Sequence, residues 1–429
     1  MGTIMSEARR GIIPGIVVEV ARSEGVNPEK LTSMVARGVA VIPCNSSRDR
    51  KLGKPVAIGE GLTVKVNVNV GTSVDLSDPY LELEKARIGL RYGADTVMDL
   101  STGGDLDYTR RLLIRELDSP IGTVPIYQAA IESIRKYGSI IDMSEDDVLN
   151  TIERHFKDGV DFVTLHCGIT YKALESLKKG RRVAGIVSRG GAFIASWMLH
   201  HGRENPLYEN YDYILELARE YDVCISLGDG LRPGCIADAN DIAQNMELLT
   251  VAELVERSRG MDVQCMVEGP GHMPIHQIAA NVALEKAVCK GAPYYLLGPI
   301  VTDIATPYDH IAAAIGSAIA GLAGADFLCV VTPSEHLGLP LPEDIKHGVI
   351  ASKIAAHAVD LYRVGGRVLD IDKAMGEARA RLDWVTQFKL SMDPEKASEI
   401  HGRVKSRSGT CTMCGEYCVY KILDRKLYT

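Results

Sequence analysis

Residues 63–100 read TVKVNVNV, GTSVDLSDPY, LELEKARIGLRYG, ADTVMDL. The first eight residues alternate apolar and polar side chains at period two, the pattern of a half-buried strand. Turn residues follow, then 82–92 carries apolar residues at helical spacing, and 94–100 is a second short run of strand formers. Two such runs joined by a helix imply parallel strands with a crossover connection.

The rhythm continues through runs at 121–127, 162–166, 184–187, 223–227, 263–267, 294–297 and 327–331, with helical segments such as 144–158 between them. Over roughly 270 residues the economical closure is an eight-stranded barrel. Nine candidate runs for eight places leave one that is surplus or belongs to an extension. A doubly wound open sheet is the alternative, although no Gly-x-Gly-x-x-Gly follows the first strand to support a dinucleotide fold. The expected class is therefore α/β, a (β/α)8 TIM-like barrel. Residues 1–62 form an N-terminal helical segment, with a helix over 8–25 broken at Pro14 and another over 28–38. The barrel occupies 63–365. Region 366–429 holds a charged amphipathic helix over 367–390, a further helix starting at Asp393-Pro394, and a polar tail rich in cysteine.

Composition bounds the function. The chain has 429 residues, 46% of them hydrophobic and 24% charged, so a sizeable core can form. A formal net charge of −8 argues against a nucleic-acid partner, which would call for a basic face. The basic run Lys178-Lys179-Gly180-Arg181-Arg182 reads as solvated surface. The first residues lack the apolar core of a signal peptide, and no uninterrupted apolar run approaches the ~20 residues of a membrane span. Residues 311–322 are too short for one and suit a buried helix. A cytoplasmic protein without membrane contact is expected. Disulfides are then disfavoured for its ten cysteines. Cys44, Cys167, Cys224, Cys235, Cys265, Cys289 and Cys329 are scattered, several of them in strand-like runs as small buried hydrophobes.

Barrel enzymes gather their chemistry at the C-terminal ends of the strands. The residues at or just after those ends are Asn69, Met98, Tyr127, His166, Ser188-Arg189-Gly190, Asp229-Gly230-Leu231-Arg232, Glu268, Tyr295 and His336. One polar strand end is ordinary turn chemistry, but a set almost entirely polar, titratable or aromatic is not. Arg189 and Arg232 each sit beside glycines, where a guanidinium fork and open backbone N–H groups suit an anion; a pair of tight turns is the plain alternative. Glu268-Gly-Pro-Gly-His272 sets a carboxylate and an imidazole near one point, and His336 is another strand-end imidazole with which to complete a metal site.

The remaining cysteines are Cys411, Cys414 and Cys418, in the spacing C-x2-C-x3-C. Three thiolates can hold a 4Fe–4S cluster and leave one iron open for the amino and carboxylate groups of S-adenosylmethionine. Zinc is the other candidate, but it usually takes four ligands; His401 is available upstream.

At this point the chain resembles a known family. Lys65-Val-Asn-Val-Asn69, Gly93-Ala-Asp-Thr-Val-Met98-Asp-Leu-Ser, Gly122-Thr-Val-Pro-Ile-Tyr127, Ile186-Val-Ser-Arg-Gly-Gly191, Ser226-Leu-Gly-Asp-Gly-Leu-Arg-Pro-Gly234, Val267-Glu-Gly-Pro-Gly-His272 and Glu335-His336-Leu-Gly-Leu-Pro340 are similar, in order, to the radical S-adenosylmethionine phosphomethylpyrimidine synthases of thiamine biosynthesis, in their short form. The resemblance implies a homodimeric barrel acting on 5-aminoimidazole ribotide through a 5′-deoxyadenosyl radical, with carbon monoxide and formate released. It implies substrate contacts at Asn69, Met98, Tyr127, His166, Ser188, Arg189, Gly190, Asp229, Gly230, Leu231, Arg232, Glu268 and Tyr295. Zinc would be held by His272 and His336, and the 4Fe–4S cluster by Cys411, Cys414 and Cys418. Glu268 and His166 are the candidate proton carriers, and an external donor of flavodoxin or ferredoxin type would supply electrons. The related 5-hydroxybenzimidazole synthase, which shares this ribotide and ligand set, is the alternative. The chain departs from the family's usual pattern at Pro43-Cys44-Asn45-Ser46-Ser47 and at Thr306-Pro307, two places that could alter the pocket. Its last two cysteines are also one residue closer than in longer members.

Overall fold

The computed structural model describes residues 2–48 and 52–422, which fall into two compact units, Met1–Val359 and Asp360–Thr429. The first unit is built on eight parallel strands: β1 (Lys65–Val70), β2 (Thr96–Asp99), β3 (Ile121–Thr123), β4 (Phe162–Leu165), β5 (Cys224–Leu227), β6 (Cys265–Gly269), β7 (Tyr294–Leu296) and β8 (Phe327–Cys329). They pair in sequence order, and β8 closes on β1 through Phe327 opposite Lys65. The expected (β/α)8 barrel is present.

The surplus run is 184–187, which lies in the loop before helix Arg189–His201 and forms no strand. The third strand is also shorter than the run 121–127, because Pro125 fits the first turn of a helix and opens Pro125–Tyr137. Tyr127 thus sits on a helix and not on a strand.

Side chains alternate along each strand, so every second residue enters the barrel. Near its floor Tyr295 stacks on Phe327 at 4.2 Å between ring centres, and Phe162 meets Phe327 edge-on at 6.4 Å. Gly122 makes room for this cluster: a Cβ there would lie 2.2 Å from Cζ of Phe162. Higher up, the interior turns polar. The Asn67 amide donates to Asn69 Oδ1 and to the Tyr295 hydroxyl, both at 2.8 Å, and Thr96 donates to Asn67 Oδ1 at 2.8 Å.

Helices Ile4–Arg9, Gly15–Glu24 and Pro28–Arg37 precede the barrel. Pro14 marks the break between the first two, as the sequence suggested, and Asn27 caps the third. Met5, Val17, Val20, Leu31, Val35 and Ile42 form their own small core. The Asn45 amide bonds the carbonyls of Phe156 and Val160, and its backbone N–H bonds Asp161, just before β4 begins. The departure at 43–47 therefore lies at the N-terminal mouth of the barrel, away from the strand ends that line the pocket.

Helix Asp309–Ala323 buries only one face: Ala312, Ala313, Gly316 and Ala320 are inside, while Ile311, Ile315 and Leu322 are about half exposed. The expectation of a fully buried helix over 311–322 is corrected accordingly. In the second unit the single helix expected over 367–390 is two, Gly366–Ala380 and Trp384–Leu390. The chain turns through Leu382 at φ 53°, and Asp383 caps the second helix by accepting from Thr386 N–H at 3.0 Å. Among the described residues no helix is long and apolar enough to cross a membrane.

Candidate active site

Asn69 and Met98 face each other across β1 and β2, and Glu268 and Tyr295 across β6 and β7. With Tyr127, His166, Asp229 and Arg232 they line a cavity of about 90 Å³ inside the C-terminal mouth. A wider solvent-open cleft of about 690 Å³ shares Asn69, Tyr127 and Arg232 and adds Arg189, Glu335 and His336. Four of the expected contact residues play a quieter part. Ser188 is the N-cap of helix Arg189–His201, its hydroxyl accepting from Gly191 N–H at 3.1 Å. Gly190 packs on the His166 ring, where a Cβ would meet Cε1 at 2.3 Å. Gly230 and Leu231 do not line either cavity, and Leu231 is fully buried.

The charges inside are few and confined. Arg189 lies over the Tyr127 ring at 5.0 Å from its centre, a cation–π contact. Arg232 meets Asp229 Oδ1 at 3.3 Å. Burial drives the Asp229 carboxyl well above the ordinary range and raises Glu268 as well. Glu268 Oε1 accepts from Thr164 at 2.6 Å and from Ser226 at 2.9 Å. Burial, aided by the Arg232 charge, pushes the His166 imidazole down to about 3, so it is neutral at physiological pH. His166 Nδ1 and Asp229 Oδ2 are buried with no hydrogen-bond partner among the described residues. Cationic arms at the rim above carboxyls that readily keep a proton, with a neutral imidazole between, can hold an anion and exchange protons with what is attached to it.

His272 and His336 come together with ring centres 5.2 Å apart. His272 Nδ1 pairs with Asp303 at 2.8 Å and His336 Nδ1 with Asp309 at 3.4 Å, which leaves Nε2 as the remaining nitrogen on each ring. Carboxylates behind two imidazoles in this way are the usual support of a histidine metal ligand. Thr306 donates to Asp309 Oδ2 at 2.9 Å, so the Thr306-Pro307 departure adds a hydrogen bond behind this pair. Among the described residues no three His, Cys, Asp or Glu side chains are gathered to hold a metal ion.

In the second unit the cysteines lie on a tightly wound loop. Gly415 N–H bonds Cys411 O at 3.0 Å, Tyr417 N–H bonds Cys414 O at 3.0 Å, and Thr410 bonds Gly415 O at 2.7 Å. Backbone N–H of Cys414 lowers the Cys411 thiol below its ordinary range. Cys418 is buried, and Cys411 and Cys414 are partly exposed. Three thiols on eight residues are a donor set for a thiophilic centre. His401, the other candidate ligand, stacks on Trp384 at 4.1 Å between ring centres.

Sequence reasoning missed Thr164 and Cys329 in the cavity wall, the carboxylates of Asp303 and Asp309, and two buried charges, Arg182 and Glu247, behind the 229–232 turn. Thr164 and Cys329 both lay inside candidate strand runs, 162–166 and 327–331, and the other four carried no such signal.

Residues 3–425 match the Radical SAM ThiC family. The Phosphomethylpyrimidine synthase of Methanopyrus kandleri is 56% identical over 426 residues, 99% of each chain. That of Pyrococcus furiosus is 54% identical over 425 residues, 99% of this chain and 98% of that one. A solved dihydropteroate synthetase with product aligns with 71% of this chain and 96% of that chain at a TM-score of 0.42 and 11% identity, a likeness too loose to bear on function. The kinship with the synthases is of another order: it runs the length of the chain and takes in the barrel strand ends and the three-cysteine loop alike, and by it this protein belongs to the Radical SAM ThiC family.

Proposed function

We propose that the protein is a phosphomethylpyrimidine synthase, a radical S-adenosylmethionine lyase that converts 5-aminoimidazole ribotide to 4-amino-5-hydroxymethyl-2-methylpyrimidine phosphate with loss of carbon monoxide and formate. The observation that carries this reading is identity above one half, over full length, with synthases of that name. The barrel mouth supports it: the open cleft above the cavity and the arginines that line it suit a small phosphorylated nucleoside-like substrate.

In this reading Arg189 and Arg232 take the ribotide phosphate, with the helix start at Ser188 and Gly190 donating backbone N–H groups. Asn69, Tyr127 and Asp229 orient the sugar and amine, and Met98 and Tyr295 wall the ring. Gly230 and Leu231 shape the turn that carries Arg232. Glu268 holds and releases a proton: burial raises its carboxyl, and the hydroxyl donors of Thr164 and Ser226 oppose that rise. His166 faces the substrate as a neutral hydrogen-bonding imidazole, since burial and the Arg232 charge disfavour its protonated form.

The family implies an iron–sulfur cluster and S-adenosylmethionine. Cys411, Cys414 and Cys418 would hold the 4Fe–4S cluster, and His272 and His336 a zinc ion. When bound, the cluster supplies the low-potential electron that cleaves the sulfonium and begins radical chemistry. A flavodoxin- or ferredoxin-type donor, a homodimeric assembly and a cytoplasmic location complete the reading.

The test is anaerobic turnover of iron-reconstituted protein with aminoimidazole ribotide, S-adenosylmethionine and dithionite, followed by mass spectrometry and metal analysis. Hydroxymethylpyrimidine phosphate is expected. Hydroxybenzimidazole in its place would overturn the assignment in favour of the cobalamin-directed relative, and zinc unchanged in His336→Ala would overturn the metal assignment.

A further inference from the structure

The basic run at 178–182 does not behave as solvated surface throughout. The Arg182 side chain is 3% exposed and makes a two-pronged contact with Asp241, Nε to Oδ2 at 2.6 Å and Nη2 to Oδ1 at 2.8 Å. The same guanidinium donates to the carbonyl of Leu231, to that of Arg232 at 3.3 Å, and to that of Gly185 at 3.2 Å. From the other side Glu247, buried on helix Ile242–Gly260, accepts the Leu231 N–H at 2.7 Å. The peptide groups flanking Leu231 are thus gripped from both sides, the carbonyl by the Arg182 guanidinium and the N–H by the Glu247 carboxyl, which burial raises to about 8. Helix Ile242–Gly260 supplies both grips, since Asp241 is its N-cap and also accepts from Gln244 N–H at 2.9 Å.

The same frame reaches the second arginine-bearing segment. Asp238 accepts the N–H groups of Val183 and Ala184, both at 2.8 Å, which fixes the chain leading into Ser188 and Arg189. The two segments then touch: a Cβ on Gly191 would lie 2.2 Å from the Gly230 carbonyl oxygen. Arg189 and Arg232 therefore stand on two neighbouring segments braced by Arg182, Asp238, Asp241 and Glu247; none of the four lines the cavity or the wide cleft, although Glu247 lines a smaller pocket beside Asp229 and Arg232.

We propose that Arg182, pinned by Asp241 and opposed by Glu247, is a positioning residue that sets the 229–232 turn against the 188–191 helix start, so that Arg189 and Arg232 close on one phosphate. This rests on the assignment of the cavity to a phosphorylated ribotide. Lysine cannot replace the planar fork, because a single ammonium cannot hold a carboxylate face-on and three carbonyls at once.

The experiment uses full-length, cluster-reconstituted enzyme and aminoimidazole ribotide as probe, with binding followed by calorimetry and turnover by product formation. Arg182→Met is expected to weaken ribotide binding by about 10- to 100-fold, the range for a misplaced binding group. Arg182→Lys should fall between it and the parent. The KM for S-adenosylmethionine and the iron content should stay within twofold. Because Arg182→Met could unfold the loop wholesale, the second arm acts on the opposite grip: Glu247→Ala should weaken ribotide binding, and Glu247→Gln should restore it, since the amide oxygen still accepts the Leu231 N–H. Ribotide affinity within twofold of the parent in both Arg182→Met and Glu247→Ala would overturn this inference alone. No binding of ribotide by the parent would overturn the proposed function and this inference with it.

Discussion

Lys85 and Glu82 lie three residues apart on helix Pro79–Arg91 with side chains wholly buried, and Lys85 Nζ meets Glu82 Oε1 at 2.6 Å. Glu82 Oε2 accepts the Gly71 N–H at 2.6 Å, and Lys85 donates to the Pro340 carbonyl at 3.1 Å. One ion pair thereby ties the loop after β1 to the loop after β8, both of which border the wide cleft. Lys85→Met removes the cation but leaves a carboxylate at 0% exposure with no counter-charge. Breaking a buried pair from one side costs about 3–5 kcal/mol, and the orphaned Pro340 carbonyl falls within that range. Adding Glu82→Gln should recover most of the loss, because the pair is then neutral and the amide oxygen still accepts from Gly71. The assay is equilibrium urea unfolding of the apo protein followed by circular dichroism, run as a double-mutant cycle. A single variant that loses less than about 1 kcal/mol, or a double variant no better than the single, would refute the reasoning.

Cys414→Ala should abolish reductive cleavage of S-adenosylmethionine under anaerobic conditions while thermal unfolding of the barrel stays put; retained cleavage contradicts the cluster assignment. Gly122→Ala drives a methyl into the Phe162 ring, 2.2 Å from Cζ, and overpacking of that kind costs about 1–3 kcal/mol in a thermal melt. Gly122→Ala with Phe162→Leu should recover part of it, and an unchanged melt for the single variant would show that the floor is looser than described. Glu285 is buried, its oxygens have no hydrogen-bond partner among the described residues and only a long 3.9 Å contact with Lys286 Nζ, and burial raises its carboxyl from 4.5 to about 8. A carboxyl raised on folding contributes stability that is full below its unfolded pKa and is lost as pH climbs to the folded one. Between about pH 4.5 and 8 the parent should therefore lose melting temperature relative to Glu285→Gln, and parallel pH profiles would rule this out.

The barrel was legible because its signal is periodic and repeated: strand runs separated by helical spacing survive an error in any one of them. The false ninth run at 184–187 shows the limit, since a short apolar stretch in a loop and a short strand share a composition. Its backbone is instead fixed from outside, Asp238 taking the N–H groups of Val183 and Ala184. Tyr127 lines the cavity as expected but from a helix and not a strand, because Pro125 ends a strand and opens a helix within two residues. The strand-end side chains could be read since alternation and the barrel's open face dictate where they point. Arg182 and Glu247 could not. Nothing in a basic run or a mid-helix glutamate says that its partner is a backbone carbonyl or N–H some 50 or 16 residues away.

That division has a physical basis. A buried ion pair is a poor source of stability, because desolvation consumes most of its Coulombic gain. Here the buried charges grip backbone: Arg182 and Glu247 hold the Leu231 peptide groups, Glu82 the Gly71 N–H, and Lys85 the Pro340 carbonyl. Apolar replacements could match their volume but not select one loop conformation, since packing is tolerant of small rotations where a hydrogen bond to a peptide is not. The side chains proposed to meet substrate come from strand ends and from the helix starts just after them, where any barrel would offer them. On this proposal the placement of Arg189 and Arg232 depends on Arg182 and Glu247 behind the turn, so a barrel variant with those two exchanged for hydrophobes should fold and bind ribotide loosely.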